Sequence, residues 1–288
     1  MEKSNIHEKI KLLTGNGMWH TQETEDLPSV HLSDGPHGLR KQEEKERQNN
    51  VSLVSTCYPT ASALACSWDV TAAERLGRAV AKEAWNADVA VLLGPGINMK
   101  RSPLCGRNFE YFSEDPFLAG RLGAAYVSAA QGEDVAVSLK HFAANNQETN
   151  RQTANSQIDE RALREIYLSA FEYVVKTARP ATIMASYNRL NGYYACENRH
   201  LLTEILREEW GFDGVVISDW GACADLAKAV KAGMDLEMPD SHGIHARKLK
   251  AALKAGEISE EDIAKAAGRI EKLVKKYAPG NSCLLYTS

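Results

Sequence analysis

Asp219 ends the apolar run VVIS and is followed by Trp220 and Gly221. The β-branched run predicts a buried strand, and functional side chains of α/β proteins gather at the carboxyl ends of such strands. A carboxylate there can attack an anomeric carbon and form a glycosyl-enzyme, while an indole face can cover the apolar side of a sugar ring. The simpler alternative is that Asp219 caps a following helix at Ala222.

Lys140 and His141 are neighbours at the end of another apolar run, VAVSLKHF. They could hydrogen-bond adjacent hydroxyl groups, or Lys140 could form the Schiff base of an aldolase-type barrel. Neighbouring side chains on a regular strand point to opposite faces, so both can face one site only where the backbone is irregular. We therefore predict a strained or cis non-proline peptide near 140–142. The alternative is a surface lysine beside a packed histidine.

The segment GPGINMKRSPLCGRNFEYFSEDP, at 94–116, is too long and too rich in turn residues for a plain connection. Arg107 within it could bind vicinal hydroxyls through two hydrogen bonds, or it could fix the loop by pairing with Glu110 or Glu114. The Gly-Pro-Gly is not followed by a phosphate-binding pattern. Two further polar residues at predicted strand ends are weaker candidates: Asp34 and Tyr187.

Short apolar runs, most of them followed by a helical pattern, must position these side chains. Their ends lie at 30–36, 61–68, 89–96, 135–142, 181–188, 214–221 and 234–239. Between them, hydrophobic residues repeat at helical spacing, as at 71–87 and 159–177. This alternation predicts an α/β fold with a parallel sheet, which could close into a barrel or stay open and doubly wound.

Composition excludes several classes of protein. The chain has 288 residues, of which 44% are hydrophobic and 25% charged, and this fits one large barrel with a sizeable core. The net charge is −4 and charges of both signs are interspersed, so we expect neither a nucleic-acid nor a membrane partner. The N-terminus lacks an apolar signal core and no segment approaches about 18 uninterrupted apolar residues, which favours a cytoplasmic location.

The six cysteines are scattered without a CxxC pair or a nearby histidine. This predicts buried free thiols rather than a zinc site or a disulfide framework, and we expect neither a metal nor a cofactor. The charged run at 41–51 is expected to be a solvated loop. The residues at 279–288 match neither a helix cap nor a linker, and we expect them to be a non-native tail after a domain at 1–278.

Six motifs occur in a fixed order: LSDGPHGLR, PTASALACSWD, LGPGINMKRSPLCGRNFEYFSEDP, SLKHFAANNQETNR, MASYNRLNG and VVISDWG. Because it has these motifs in this order, the chain up to about residue 278 resembles glycoside hydrolase family 3, the β-glucosidase and β-xylosidase group. The resemblance implies a (β/α)8-type, TIM-like barrel that sometimes lacks one regular strand. It implies Asp219 as nucleophile and the following sugar-binding residues: Asp34, Arg107, Lys140, His141 and Tyr187, with Met184 and Trp220 lining the pocket.

The activity implied by the resemblance is that of a retaining β-glycosidase, foremost a β-glucosidase, that acts on a β-glucoside or oligosaccharide without a cofactor. KHFAANNQETNR lacks the His-Asp pair of the family's β-N-acetylglucosaminidases, as in KHFPGHGDT. In the β-glucosidases the general acid is a glutamate on a C-terminal α/β sandwich domain, so we expect this chain to lack that acid. The alternatives are a β-xylosidase or α-L-arabinofuranosidase, or a non-catalytic sugar-binding fragment.

Overall fold

The computed structural model describes residues 6–42 and 51–279. The strands are β1 Gly15–Asn16, β2 His20–Thr21, β3 His31–Asp34, β4 Val89–Leu93, β5 Ala136–Phe142, β6 Asn155–Ser156, β7 Thr182–Ala185, β8 Arg189–Leu190, β9 Tyr193–Tyr194 and β10 Val215–Ser218. Most of the predicted loop at 41–51 and nearly all of the predicted tail at 279–288 lie outside the described residues.

The α-helices are α1 Ile6–Leu12, α2 Ala61–Ala65, α3 Val70–Asn86, α4 Pro116–Gln131, α5 Glu160–Ala162, α6 Ser169–Ala178, α7 Leu226–Ala232, α8 Ile244–Lys254 and α9 Glu260–Tyr277. Short 3-10 turns are Asn108–Glu110 and Ala195–Glu197, and π-helical segments are Leu163–Tyr167 and His200–Glu209. Within the described ranges, no helix is long and apolar enough to cross a membrane.

One sheet positions the site, with its strands in the order β1, β2, β3, β4, β5, β7 and β10. Strands β3, β4, β5, β7 and β10 pair with one another in parallel, so their carboxyl ends share one edge. The two-residue strands β1 and β2 pair in antiparallel fashion with each other, and β2 pairs in the same way with β3. The predicted α/β class is confirmed, with a small hairpin where a regular βα unit would begin.

The sheet curls until its two edges meet. The carbonyl of Leu236 accepts a 2.9 Å hydrogen bond from the N–H of Ser218 in β10. On the other side, the carbonyl of Glu237 accepts from the N–H of Gly15, and its N–H donates to the carbonyl of Leu13, both at 2.9 Å. We call these contacts the seam. Isolated bridges thus stand in place of the strand predicted at 234–239, and the fold is an incomplete TIM-like barrel.

Close packing on both faces of the sheet holds the barrel together. All residues of β4 and β5 are buried, as expected for strands with covered faces. Helices α3 and α4 approach closely at Gly77, where a Cβ would lie 2.5 Å from the carbonyl oxygen of Tyr126. Beneath β10, the fully buried carboxylate of Asp235 binds Arg207 at 2.7 Å and Arg269 at 2.9 Å.

The strand predicted at 61–68 is wrong, because this segment forms helix α2. The side chain of Thr60 caps the helix by accepting a 3.2 Å hydrogen bond from the N–H of Ala63. Small apolar residues such as those of ASALA fit a buried helix as well as a buried strand, and here the threonine cap favours the helix.

Both predicted helices are confirmed. The pattern at 71–87 corresponds to α3, with Asp69 as its N-cap. The pattern at 159–177 corresponds to α5 and α6, with the π-helical segment Leu163–Tyr167 between them.

The prediction of buried thiols is confirmed for only some of the cysteines. Cys196 and Cys223 are buried, whereas Cys57 and Cys66 are exposed and Cys105 is half-buried. The prediction is wrong for the exposed pair because Cys57 lies in a surface loop and Cys66 follows the last residue of α2.

Candidate active site

A cavity of about 300 Å³ lies at the carboxyl ends of the parallel strands. This volume is at the lower end of the range of about 300–1,000 Å³ found for ligand pockets, and it suits a ligand of monosaccharide size. The structure places all eight residues predicted for the site in its wall: Asp34, Arg107, Lys140, His141, Met184, Tyr187, Asp219 and Trp220.

Asp219 lines this cavity, and one of its two carboxylate oxygens is buried without a hydrogen bond among the described residues. Its Oδ1 accepts a 2.8 Å hydrogen bond from the N–H of Trp220, and its Oδ2 has no hydrogen-bond partner in the described part of the chain. Burial raises the pKa of Asp219, although Lys140, the N–H of Trp220 and Arg107 oppose the rise. The alternative role as a helix cap is wrong, because Asp225 caps the next helix, α7.

Lys140 is buried between two carboxylates. Its Nζ donates a 2.9 Å hydrogen bond to Oδ1 of Asp34 and lies 3.8 Å from Oε2 of Glu110. Burial alone would raise the pKa of Asp34, but the charge and hydrogen bond of Lys140 hold it below its ordinary value. The surface-lysine alternative is therefore wrong.

His141 is held in one orientation by two neighbours. Its Nε2 lies 2.8 Å from Nη2 of Arg107, and its Nδ1 lies 3.0 Å from the hydroxyl of Tyr111. A guanidinium can only donate, so Nε2 accepts and Nδ1 carries the ring proton. Burial, with the charges of Arg107 and Lys140, holds the pKa of His141 well below its ordinary value. The neutral ring thus fixes Arg107 in the pocket wall.

The backbone at the end of β5 is irregular. The peptide bonds Lys140–His141 and Phe142–Ala143 are both cis, and the pairing with β7 shifts between Leu139 and Phe142. Lys140 and His141 both line the cavity. The predicted cis non-proline peptide is confirmed.

Arg107 combines the two roles that its sequence context allowed. Its Nε donates to Oε1 of Glu110, which is the loop-fixing ion pair considered above, and its guanidinium also lines the cavity. The buried carboxylate of Glu110 therefore contacts two cationic side chains of the site, Arg107 and Lys140. Through these contacts Glu110 helps to position Arg107 and Lys140 in the site.

Four residues outside the predicted set also line the cavity: Trp19, Arg40, Leu93 and Arg151. Trp19, from the turn between β1 and β2, has its ring centroid 5.1 Å from that of Trp220, whose Nε1 donates to the carbonyl of Met18 at 2.9 Å. The guanidinium of Arg151 lies 4.4 Å from the ring centroid of Tyr187. Trp19 follows no predicted strand, so sequence pattern did not indicate it, whereas Arg151 ends a motif that was already singled out.

Comparison with known proteins identifies the family. Residues 36–273 match the model of the glycosyl hydrolase family 3 N-terminal domain. Thermostable beta-glucosidase B of Acetivibrio thermocellus is 51% identical over 278 residues, which cover 95% of this chain and 37% of that protein. An exo-alpha-(1->6)-L-arabinopyranosidase of Bifidobacterium longum is 50% identical over 242 residues, covering 82% and 32%. The chain spans about a third of the length of these curated relatives.

Solved structures agree with this assignment. The family 3 beta-glucosidase of Bifidobacterium adolescentis superimposes with a TM-score of 0.90 at 44% identity, over 99% of this chain and 40% of that one. Beta-glucosidase 3B of Thermotoga neapolitana, solved in complex with glucose, gives a TM-score of 0.91 at 38% identity, over 99% and 43%. The chain therefore belongs to glycosyl hydrolase family 3, of which it carries the N-terminal domain.

Proposed function

We propose that this domain carries the nucleophile and the glycone subsite of a retaining β-glucosidase that acts on terminal, non-reducing β-D-glucosyl residues. The observation that supports the proposal is the buried carboxylate of Asp219, which lines a pocket of monosaccharide size and whose Oδ2 has no hydrogen-bond partner among the described residues. The glycosidase class is supported by family membership, and the choice of glucose by relatives named beta-glucosidase at up to 51% identity.

In the proposed first step, Oδ2 of Asp219 attacks C1 of the sugar as the bond from C1 to the glycosidic oxygen breaks. A general acid gives the departing oxygen its proton. Water then hydrolyses the glycosyl ester with the same group acting as base, so the anomeric configuration is retained. Lys140, Arg107 and Asp34 would bind the ring hydroxyls, and Trp220 would cover the apolar face of the ring.

The general acid is proposed to come from a further domain of the same polypeptide. Asp34 also lines the pocket, but Lys140 holds its pKa low, so Asp34 suits hydroxyl binding better than proton donation. The relatives have about two thirds of their length outside the matched region, which is room for such a domain. Without the acid, turnover of substrates with poor leaving groups would fall by roughly 10²–10⁴-fold.

A second candidate activity is that of an α-L-arabinopyranosidase, which the Bifidobacterium longum relative favours. Arabinopyranose has a six-membered ring without the hydroxymethyl group of glucose, so the same nucleophile could serve both sugars. Dinitrophenyl glycosides of β-D-glucose, β-D-xylose, α-L-arabinopyranose and α-L-arabinofuranose would rank these activities by kcat/KM.

The nucleophile is tested by mass spectrometry of the intact protein after incubation with 2,4-dinitrophenyl 2-deoxy-2-fluoro-β-D-glucoside. The leaving group needs little protonation, so the first step proceeds, and the fluorine slows hydrolysis of the ester. We expect one adduct, mapped to the peptide that contains Asp219 and absent from Asp219→Ala. A folded wild-type protein that binds glucose but forms no adduct would instead be a sugar-binding fragment.

A further inference from the structure

Cys223, Glu237 and His245 form a cluster that the proposed mechanism does not use. One ligand atom from each residue lies within 4.8 Å of those of the other two. Cys223 and Glu237 are buried, at 5% and 3% exposure, and His245 is half-buried. The three come from different parts of the fold: the loop after the nucleophile Asp219, the seam, and the first turn of α8.

The chemistry of this cluster matches that of a zinc site. Thiolate, carboxylate and imidazole are the usual protein ligands of Zn²⁺. Zinc bonds of about 2.0–2.3 Å place tetrahedral ligand atoms about 3.5 Å apart, so side-chain shifts of roughly 1 Å would be enough. Three protein ligands would leave the fourth position to water.

The charge around Glu237 also favours a cation. Within the described residues, Glu237 forms an ion pair with Nδ1 of His245, which is positive only when protonated. The buried carboxylate two residues earlier, Asp235, is instead neutralised by two arginines. The Sγ of the buried Cys223 lies within 4.8 Å of the ligand atoms of both Glu237 and His245. A divalent cation would supply positive charge where these groups converge.

We propose that Cys223, Glu237 and His245 bind a divalent cation of the zinc class. On binding, the thiol of Cys223 releases its proton to solvent, and the cation replaces the proton shared by Glu237 and His245. The N–H of Gly221 already donates to the carbonyl of Met238 at 2.8 Å, so the cation would reinforce the contact between the nucleophile's loop and the seam. It takes no part in glycoside cleavage.

Cobalt absorption tests this site on the full 288-residue chain. Co²⁺ serves as the probe because a thiolate bound to it gives a charge-transfer band in the near ultraviolet. The parent for all variants has Cys57, Cys66 and Cys283 replaced by serine, so that Cys105 and Cys196 are the thiols that remain outside the cluster. We expect a saturable band at one equivalent of Co²⁺ that Zn²⁺ abolishes.

Two variants and one control show which residues give rise to the band. Cys223→Ser should abolish it, and His245→Gln should weaken Co²⁺ binding by at least about tenfold, as loss of a ligand would. Cys105→Ser, which removes a thiol elsewhere, should leave the band unchanged. Circular dichroism and the adduct on Asp219 verify that each variant is folded.

Three results would overturn the proposal. These are a parent without the band, an undiminished band in Cys223→Ser, and a folded His245→Gln variant that binds Co²⁺ like the parent. The last variant leaves the buried thiol in place, so it decides the question even if Cys223→Ser fails to fold.

Discussion

Lys140 Nζ and Asp34 Oδ1 lie 2.9 Å apart although 106 residues separate them in the chain. The hydrogen bond spans β4 and joins the ends of β3 and β5 at the rim of the pocket. Because Lys140 is buried, removal of its partner would leave a charge with less compensation. The pair therefore links the shape of the barrel rim to the charge of the candidate glycone subsite.

Asp34→Asn should slow adduct formation with the fluoro-glucoside by about 10²-fold, because charge-assisted hydrogen bonds contribute about 1.5–3 kcal/mol. The measurement is the rate constant from timed mass spectra. Asp26→Asn changes an exposed aspartate near the same strand and should react like wild type. An Asp34→Asn rate equal to that of wild type would remove this residue from the proposed subsite.

Trp19→Ala should raise the half-saturating concentration of the fluoro-glucoside by about tenfold, since aromatic contacts of this kind contribute about 0.5–1.5 kcal/mol. The limiting rate of adduct formation should change little, because Trp19 forms part of the wall and contacts no reacting atom in the proposed mechanism. Trp85→Ala removes an exposed indole from α3 and serves as the control. Equal effects of both substitutions would exclude a specific role for Trp19.

Asp219→Asn should stabilise the protein while abolishing the adduct. Burial raises the pKa of Asp219, so over the pH range above 3.8 the native state retains a proton that the unfolded chain has lost. The wild type therefore loses stability relative to Asp219→Asn as pH rises, until the folded carboxyl is ionised. Near pH 7 the difference in unfolding free energy should reach about 1 kcal/mol.

Urea unfolding of both proteins at several pH values measures this difference. Asp213→Asn, at an exposed position before β10, is the control and should show no such trend. A difference that shrinks with rising pH would mean that the cations around Asp219 outweigh its burial.

Gly77→Ala should destabilise the barrel by about 1–3 kcal/mol, the usual effect of overpacking, because its Cβ would meet the backbone of α4. The matched control is Gly268→Ala in α9, where a Cβ meets no other atom within 4 Å. That substitution should stabilise the protein by about 0.5–1 kcal/mol, because alanine favours helix more than glycine does. Thermal unfolding of the two variants should therefore shift in opposite directions.

Sequence pattern predicted those parts of the molecule that short segments encode. Apolar runs with polar ends indicated the strands that carry Asp34, Lys140 and Met184 and the strand that precedes Asp219, and the structure has β3, β5, β7 and β10 at those runs. The irregular backbone at Lys140–His141 followed from the alternation rule for strand side chains.

Features that depend on distant contacts could not be predicted in this way. Trp19 reaches the pocket because β2 pairs with β3 and because its ring meets Trp220, a relationship that no local pattern records. The cluster of Cys223, Glu237 and His245 has ligand spacings of 14 and 8 residues, which match no zinc motif. Only closure of the barrel brings the seam, the loop after Asp219 and α8 together.

The hydrogen bonds of the seam can form only late in translation of the chain. The N–H of Gly15 donates to the carbonyl of Glu237, and at about 5–20 residues per second a ribosome needs roughly 10–45 s to translate the sequence between them. During that interval the N-terminal hairpin has an open strand edge, the kind of surface on which nascent chains associate wrongly. A molecular chaperone that shields this edge until translation has passed Glu237 would protect the barrel when it is most vulnerable.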